Sequence, residues 1–227
     1  MSEDQHKTRA IETIQAHLAD LRANRPSVRL AGEYSAKGAN TVCQILGAAH
    51  TVFLRDGHAG LSMRKVADEA GLAVGNVNYY FSTKRDLVDA MLREVLADYA
   101  EAHTRQFEAD RDAPLEILLN VIDFYVVNAH TSHNLFFQIW GFAGGDDNAK
   151  ALIRELYRPI GRFIYYLVRA IRPDADDLEV RQIVLQLFSL EEGVKLFIGI
   201  GPEDDRALAT AQQHIRNAAR RIICSKA

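Results

Sequence analysis

Asn76, Asn78 and Tyr79 crowd the short run VGNVNYY, residues 74–80, and their side chains carry the chemistry of edge recognition. An asparagine amide donates and accepts at once, so it can pair with N6 and N7 of one adenine. Tyr80 and Lys84 follow, and Arg64 and Lys65 precede them; a phenol and three cations within this span suit contacts to phosphate oxygens. Each position has a plainer alternative, a polar residue on a solvated helix face or a cation held in water, and the residues alone leave both open. Other constellations are thinner. His130 and His133 stand three apart, but no third His, Cys or carboxylate is fixed by spacing, so no metal is expected. The GGDD run at 144–147 lies between helical patterns without flanking strands and reads as a loop with an acidic helix start. No Gly-rich phosphate loop follows a strand, and there is neither a nucleophile elbow nor a Cys–His pair of defined spacing. Neither catalytic residues nor a cofactor are expected.

The elements that must position these groups are helical: only five prolines interrupt long stretches of 3.6-residue periodicity, and no segment alternates as a strand would. Residues 3–23 follow a cap at Ser2, carry Glu3 and Asp4 in the first turn and align Ile11, Ile14, Leu18 and Leu21. The pattern ends near Arg25-Pro26. The Pro-, Gly- and Ser-bearing run to Gly38 predicts a linker or arm whose Arg22, Arg25, Arg29 and Lys37 are suited to a minor groove. The helix before it suits packing against a dimer partner equally well. From Thr41, one face gathers Val42, Ile45, Leu46, Ala49 and Phe53 up to Asp56-Gly57, where a left-handed glycine cap is expected. Ser62 caps a second helix, with Lys65 in place of the reciprocal acid, and Met63, Val66, Ala67 and Ala70 face inward. Gly71 ends it, and a third helix spans Val74 to Tyr80. Two short helices joined by a glycine turn form a helix-turn-helix, and Ala67 and Gly71 leave room for a steep crossing.

The run from Thr41 to Leu87, centred on GLSMRKVADEAGLAVGNVNYYFSTKRDL, resembles the DNA-binding region of the TetR family of one-component transcriptional regulators. The family pattern of a capped second helix, an Ile/Val-Ala pair, a glycine turn, a glycine in the third helix, an aromatic pair and a Ser/Thr-Lys pair reads here as Ser62, Val66-Ala67, Gly71, Gly75, Tyr80-Phe81 and Thr83-Lys84. The resemblance covers about 47 residues. It implies a DNA face of Ser62, Arg64, Lys65, Ala73, Asn76, Asn78, Tyr79, Tyr80 and Lys84. Two departures matter. Ala73 stands where Ser or Thr usually caps the recognition helix, and Asn78 stands where Tyr is frequent, so base preference does not carry over. Phe53, Val77 and Phe81 read as core.

Beyond Asp86 a long helix buries Leu87, Met91, Leu92, Val95 and Tyr99, followed by helices at about 113–131, 132–143, 148–172, 177–200 and 203–225. The resemblance implies a ligand-binding and dimerisation domain over 87–227, behind an N-terminal extension (1–38) and a helix-turn-helix domain (39–86). Ile117, Val121, Phe124, Tyr125 and Asn128 follow helical spacing, and Phe136, Phe137 and Trp140 come next. Phe124, Tyr125, Asn128, Phe137 and Trp140 are the candidate effector contacts, with an ordinary aromatic core as the alternative. The run LQLFSLEEGVKLFIGIG is too apolar for one buried face. Glu192, Gly193 and Leu196 are therefore candidate homodimer contacts, against the alternative of a core helix.

Bulk charge argues against indiscriminate coating of a polyanion: the 227 residues carry a formal net charge of -3. That charge is unevenly spread. Residues 22–37 carry +3 and residues 38–85 carry +2, whereas 1–21 carry -2 and 86–227 carry -6. Cys43 and Cys224 form no disulfide or zinc pattern. No apolar run approaches a membrane span and the polar start lacks a signal-peptide core, so a cytoplasmic protein is expected. Two readings follow. One is a homodimeric repressor released from a pseudo-palindromic double-stranded DNA operator by a small-molecule effector. The other is a ligand-independent DNA-binding dimer or scaffolding factor whose C-terminal part only dimerises or binds a protein.

Overall fold

A computed structural model describes residues 3–31, 33–145, 147–202 and 205–225. Among them the chain is all-α, with no strand: α1 (Glu3–Ala23), α2 (Pro26–Ala31), α3 (Ala36–Gly60), α4 (Met63–Ala70), α5 (Val74–Tyr80), α6 (Lys84–Ala109), α7 (Pro114–Ala143), α8 (Asp147–Ile171), α9 (Asp177–Ile200), α10 (Arg206–Ala209) and α11 (Ala211–Cys224). The cap expected at Ser2 lies outside the described residues. No helix among them is long and apolar enough to cross a membrane, and Cys43 and Cys224 are free and exposed.

Five expectations are revised. The run after Arg25 is not a linker: Pro26 opens α2, where its fixed φ suits the first helical position. Ser35 then caps α3 by accepting from the Gly38 N–H, several residues ahead of Thr41. Gly57 has the positive φ expected of it, 68°, but with ψ 178°, so it kinks α3 rather than closing it with a left-handed cap. The break expected near 131–132 is absent, and α7 runs unbroken for 30 residues. The polar triplet there is absorbed by the helix itself: Thr131 Oγ1 and Ser132 Oγ donate to the Asn128 carbonyl, and His133 Nδ1 pairs with the Ala129 carbonyl. Finally, Asp205 caps the four-residue α10, and Thr210, at φ -107° and ψ 8°, separates it from α11.

The chain divides into two compact units, one comprising Met1–Leu18, Ala102–Phe137 and Arg158–Ala227, the other Ala19–Glu101 and Gln138–Tyr157. In the first, Ile117, Leu118, Val121, Phe163 and Leu167 are almost wholly buried. Val126 of α7 meets Val194 of α9 and Ala211 of α11, and Arg216 of α11 ties to Glu116 (2.7 Å) and Asp123 of α7. In the second, Val42, Ile45, Val52 and Phe53 of α3 pack with Val66, Ala67, Val77 and Leu87 at 0% exposure, while Met63 and Val95 are only half-buried. Truncating Phe53 to alanine here would cost about 3–5 kcal/mol. This core carries the helix-turn-helix.

Candidate nucleic-acid interface

The sequence at α4 and α5 dictates a rigid frame. The Ser62 hydroxyl accepts from the Lys65 N–H to start α4, and Gly71, at φ 65° and ψ 32°, is the left-handed cap that ends it. Gln44 of α3 donates to the Ala70 carbonyl at 2.6 Å, fixing the end of α4 to α3. The next helix starts without side-chain help, since Ala73 offers no acceptor and α5 is closed only by its backbone, with Asn76 N bonding to Ala73 O at 2.9 Å. α6 has the strongest start: Thr83 and Asp86 cap each other's backbone N–H groups at 3.1 Å in both directions.

Val77 is the inward side chain of α5, at 0% exposure. Its neighbours Asn76, Asn78 and Tyr79 all face out, Tyr79 at 69%. Asn76, Tyr79 and Tyr80 border a cleft of about 460 Å³ together with Tyr34, Lys37 and Thr41. Asn78 is exposed but does not line that cleft. The Tyr34 ring packs edge-on against Tyr80 (4.9 Å between centroids) and tilts against Tyr79 (6.0 Å), and Tyr79 meets Tyr80 at 5.0 Å. Gly38 makes this possible, because a Cβ there would lie 2.8 Å from the Tyr34 Cβ and 3.4 Å from the Tyr80 hydroxyl. Tyr34 was not a sequence candidate. Its segment has no helical period, and an isolated aromatic four residues before a glycine was the sole sign.

The cations divide. Arg64 is exposed on α4. Lys65 is bonded to Asp56 at 2.7 Å, and the same carboxylate takes Arg55 at 3.0 Å; these two bonds, that from Lys65 foremost, hold Asp56 below the usual carboxylate range. Lys84, half-buried at the start of α6, donates to the His58 carbonyl at 2.5 Å, and burial lowers its pKa. Arg25 does not extend as an arm. It bonds to Glu94 (2.5 Å), Asp98 (2.6 Å) and Glu101 (3.2 Å) on α6, and Glu94 also accepts from the N–H and hydroxyl of Ser27.

The remaining candidates fall elsewhere. Phe124, Tyr125, Asn128 and Phe137 belong to the first unit, and Trp140 to the second, where its indole N–H donates to the Tyr157 hydroxyl at 3.3 Å. Tyr125 is buried and its hydroxyl pairs with His103 Nε2 at 2.7 Å, while Phe124 sets its edge against the His103 ring. Asn128 and Phe137 are half-buried. Two residues absent from the sequence candidates stand beside them: His103 at 2% exposure and Lys195 at 1%. The Lys195 ammonium lies 3.7 Å over the Phe136 ring and 5.0 Å from that of Tyr125, and it pairs with Glu191 and with Glu192 (3.3 Å). On α9, Glu192 and Gly193 are half-buried and Leu196 is 40% exposed. A Cβ on Gly193 would meet nothing within 4 Å. Among the described residues no three His, Cys, Asp or Glu side chains are grouped to hold a metal ion.

Residues 45–91 match the family model described as bacterial regulatory proteins, tetR family. The HTH-type transcriptional regulator in the dhlA 5′ region of Xanthobacter autotrophicus is 26% identical over 121 residues, which cover 52% of this chain and 60% of that protein. The HTH-type transcriptional regulator BetI of Vibrio vulnificus is 23% identical over 164 residues, 70% of this chain and 81% of the relative. Among solved structures, the transcriptional regulator FadR of Bacillus subtilis in complex with stearoyl-CoA superposes with a TM-score of 0.65 at 17% identity, covering 82% of this chain and 99% of that one.

Proposed function

We propose, from the premise that this chain is a TetR-family DNA-binding transcriptional regulator, that it is a homodimeric repressor released from a pseudo-palindromic operator by a small-molecule effector. The observation that carries the reading is the outward face of α5. Asn76, Asn78 and Tyr79 stand exposed on a helix anchored by Val77, which suits a recognition helix entering a major groove. Residues 39–86 then serve as the DNA-binding domain and 87–227 as the effector and dimer domain. Ser62 and Ala73 open the two helices of the motif, and Arg64, Lys65, Tyr80 and Lys84 supply phosphate contacts around them. Phe124, Tyr125, Asn128 and Phe137, all of the first unit, supply effector contacts, and α9 the dimer contacts through Glu192, Gly193 and Leu196. The solved FadR neighbour is in complex with an acyl-CoA, which supports effector binding as the role of the helical remainder. Effector and operator then favour different conformers, so each weakens the other by the same factor.

Selection of bound duplexes from a random pool tests this. The expected result is a pseudo-palindrome with half-sites about one helical turn apart. Asn76→Ala should then relax the preference at one position by about 1–3 kcal/mol, whereas Arg64→Ala should weaken all sequences alike and reduce the salt slope by about one. A pool that enriches no two-fold sequence would overturn the reading.

A further inference from the structure

The second unit contains a cavity of about 330 Å³, a volume suited to a small ligand. Its chemistry is two-sided. Its lining joins a cationic wall, Lys84 and Arg85 at the start of α6, with an apolar floor of Val88, Phe142 and Leu152. Asn148, in the first turn of the 25-residue α8, adds an amide at the positive end of that helix.

The cations lack a counter-charge among the described residues. Lys84 gives one N–H to the His58 carbonyl, and an ammonium has three to give. Burial lowers its pKa, and no carboxylate offsets that burial. The neighbouring acids are engaged elsewhere: Asp86 caps α6, Asp56 holds Arg55 and Lys65, Asp89 holds Arg93, and Asp147 holds Lys150. A half-buried ammonium beside an apolar floor is stabilised by a ligand that brings both the missing charge and an apolar body.

We infer that this cavity binds a small organic anion, a carboxylate with a short apolar tail, its charge between Lys84, Arg85 and Asn148 and its tail on Val88, Phe142 and Leu152. A bare phosphate would fill the cationic wall and leave the floor wet, and a neutral alcohol would do the reverse. The site lies inside the unit that carries the helix-turn-helix. His58 belongs to α3 and Lys84 opens α6, so the ligand adjoins the two helices that bracket α4 and α5. That regulatory consequence rests on the DNA-binding reading; the site itself does not.

Titration of the full chain with hexanoate, in the absence of DNA, tests the site separately from that reading. Trp140 is the only tryptophan and lies two residues from Phe142 on α7, so its fluorescence is read beside calorimetric heats. Hexanoate should saturate below about 1 mM, with 1-hexanol and inorganic phosphate each at least about tenfold weaker. Asn148→Asp and Arg85→Gln, both at exposed positions, should each weaken hexanoate by about tenfold with the melting temperature unchanged. Absence of saturable heat and fluorescence change would overturn the proposal. So would equal binding of 1-hexanol, equal binding of phosphate, or wild-type affinity in both variants.

Discussion

His103 shows how much of one residue's behaviour depends on partners distant in sequence. It stacks on Phe163 at 5.2 Å with an 11° interplanar angle, and its Nε2 pairs with the Tyr125 hydroxyl. Burial drives its pKa down to about 4, against an ordinary value of 6.5. Between those values the unfolded chain takes up a proton that the folded chain refuses. The neutral ring therefore contributes stability that is fully present above about pH 6.5 and is lost as pH falls toward 4, amounting to about 2 kcal/mol by pH 5. Glu191 acts in the opposite sense, because burial raises its pKa and favours the protonated folded form. The two separate in a comparison of wild type with His103→Gln. The variant should lose less stability than wild type between pH 7 and pH 5, measured by urea unfolding, and identical slopes would show that His103 is not the proton acceptor. The sequence around it, EAHTRQF, has no feature that marks a buried histidine. Lys195 was missed as well: it pairs with Glu191 one helical turn away, but nothing local marks Phe136 beneath it.

At the scale of elements, α4 and α5 were legible residue for residue, because their start, turn and end rest on local chemistry: a serine cap, a glycine at positive φ and one inward valine. Segments held by distant partners were not. The run after Arg25 has no period of its own, and α2 is fastened through Ser27 to Glu94 of α6, 67 positions away. The basic stretch suggested an arm for a minor groove, and the structure instead commits its Arg25 to Glu94, Asp98 and Glu101. Arg25→Ala strands Glu94, whose side chain is only 17% exposed, and should cost about 2 kcal/mol of stability. Its operator affinity should keep an unchanged salt slope. A slope reduced by about one with no loss of melting temperature would restore Arg25 to the DNA.

At the scale of the whole molecule, the question is what covers α9. Leu178, Leu185, Leu196 and Ile200 are 64%, 67%, 40% and 66% exposed, with Phe197 at 60% beside them. The first four are separated by near-whole helical turns and form one stripe, and Gly193 sits within a turn of Leu196 and Phe197 with open space above its Cα. Scattered exposed leucines are ordinary, but four large apolar side chains aligned on one helix suit an interaction surface. A two-fold partner would cover it with an identical stripe, giving each chain's single helix-turn-helix the pairing that a palindrome requires. The charge distribution suits this assembly: residues 22–85 are basic and 86–227 acidic, so phosphate draws on the helix-turn-helix of each chain and disfavours the rest. Leu185→Glu with Phe197→Glu places one carboxylate in that stripe and one beside it and should yield a monomer in light scattering. Affinity for a full operator should then fall by about a hundredfold or more, as simultaneous engagement of both half-sites is lost. Affinity for an isolated half-site should stay within about twofold, because no residue of α4 or α5 is altered. A double variant that remains dimeric would exclude α9 as the interface; one that is monomeric yet binds the full operator as tightly as wild type would show that dimerisation is not what reads the palindrome.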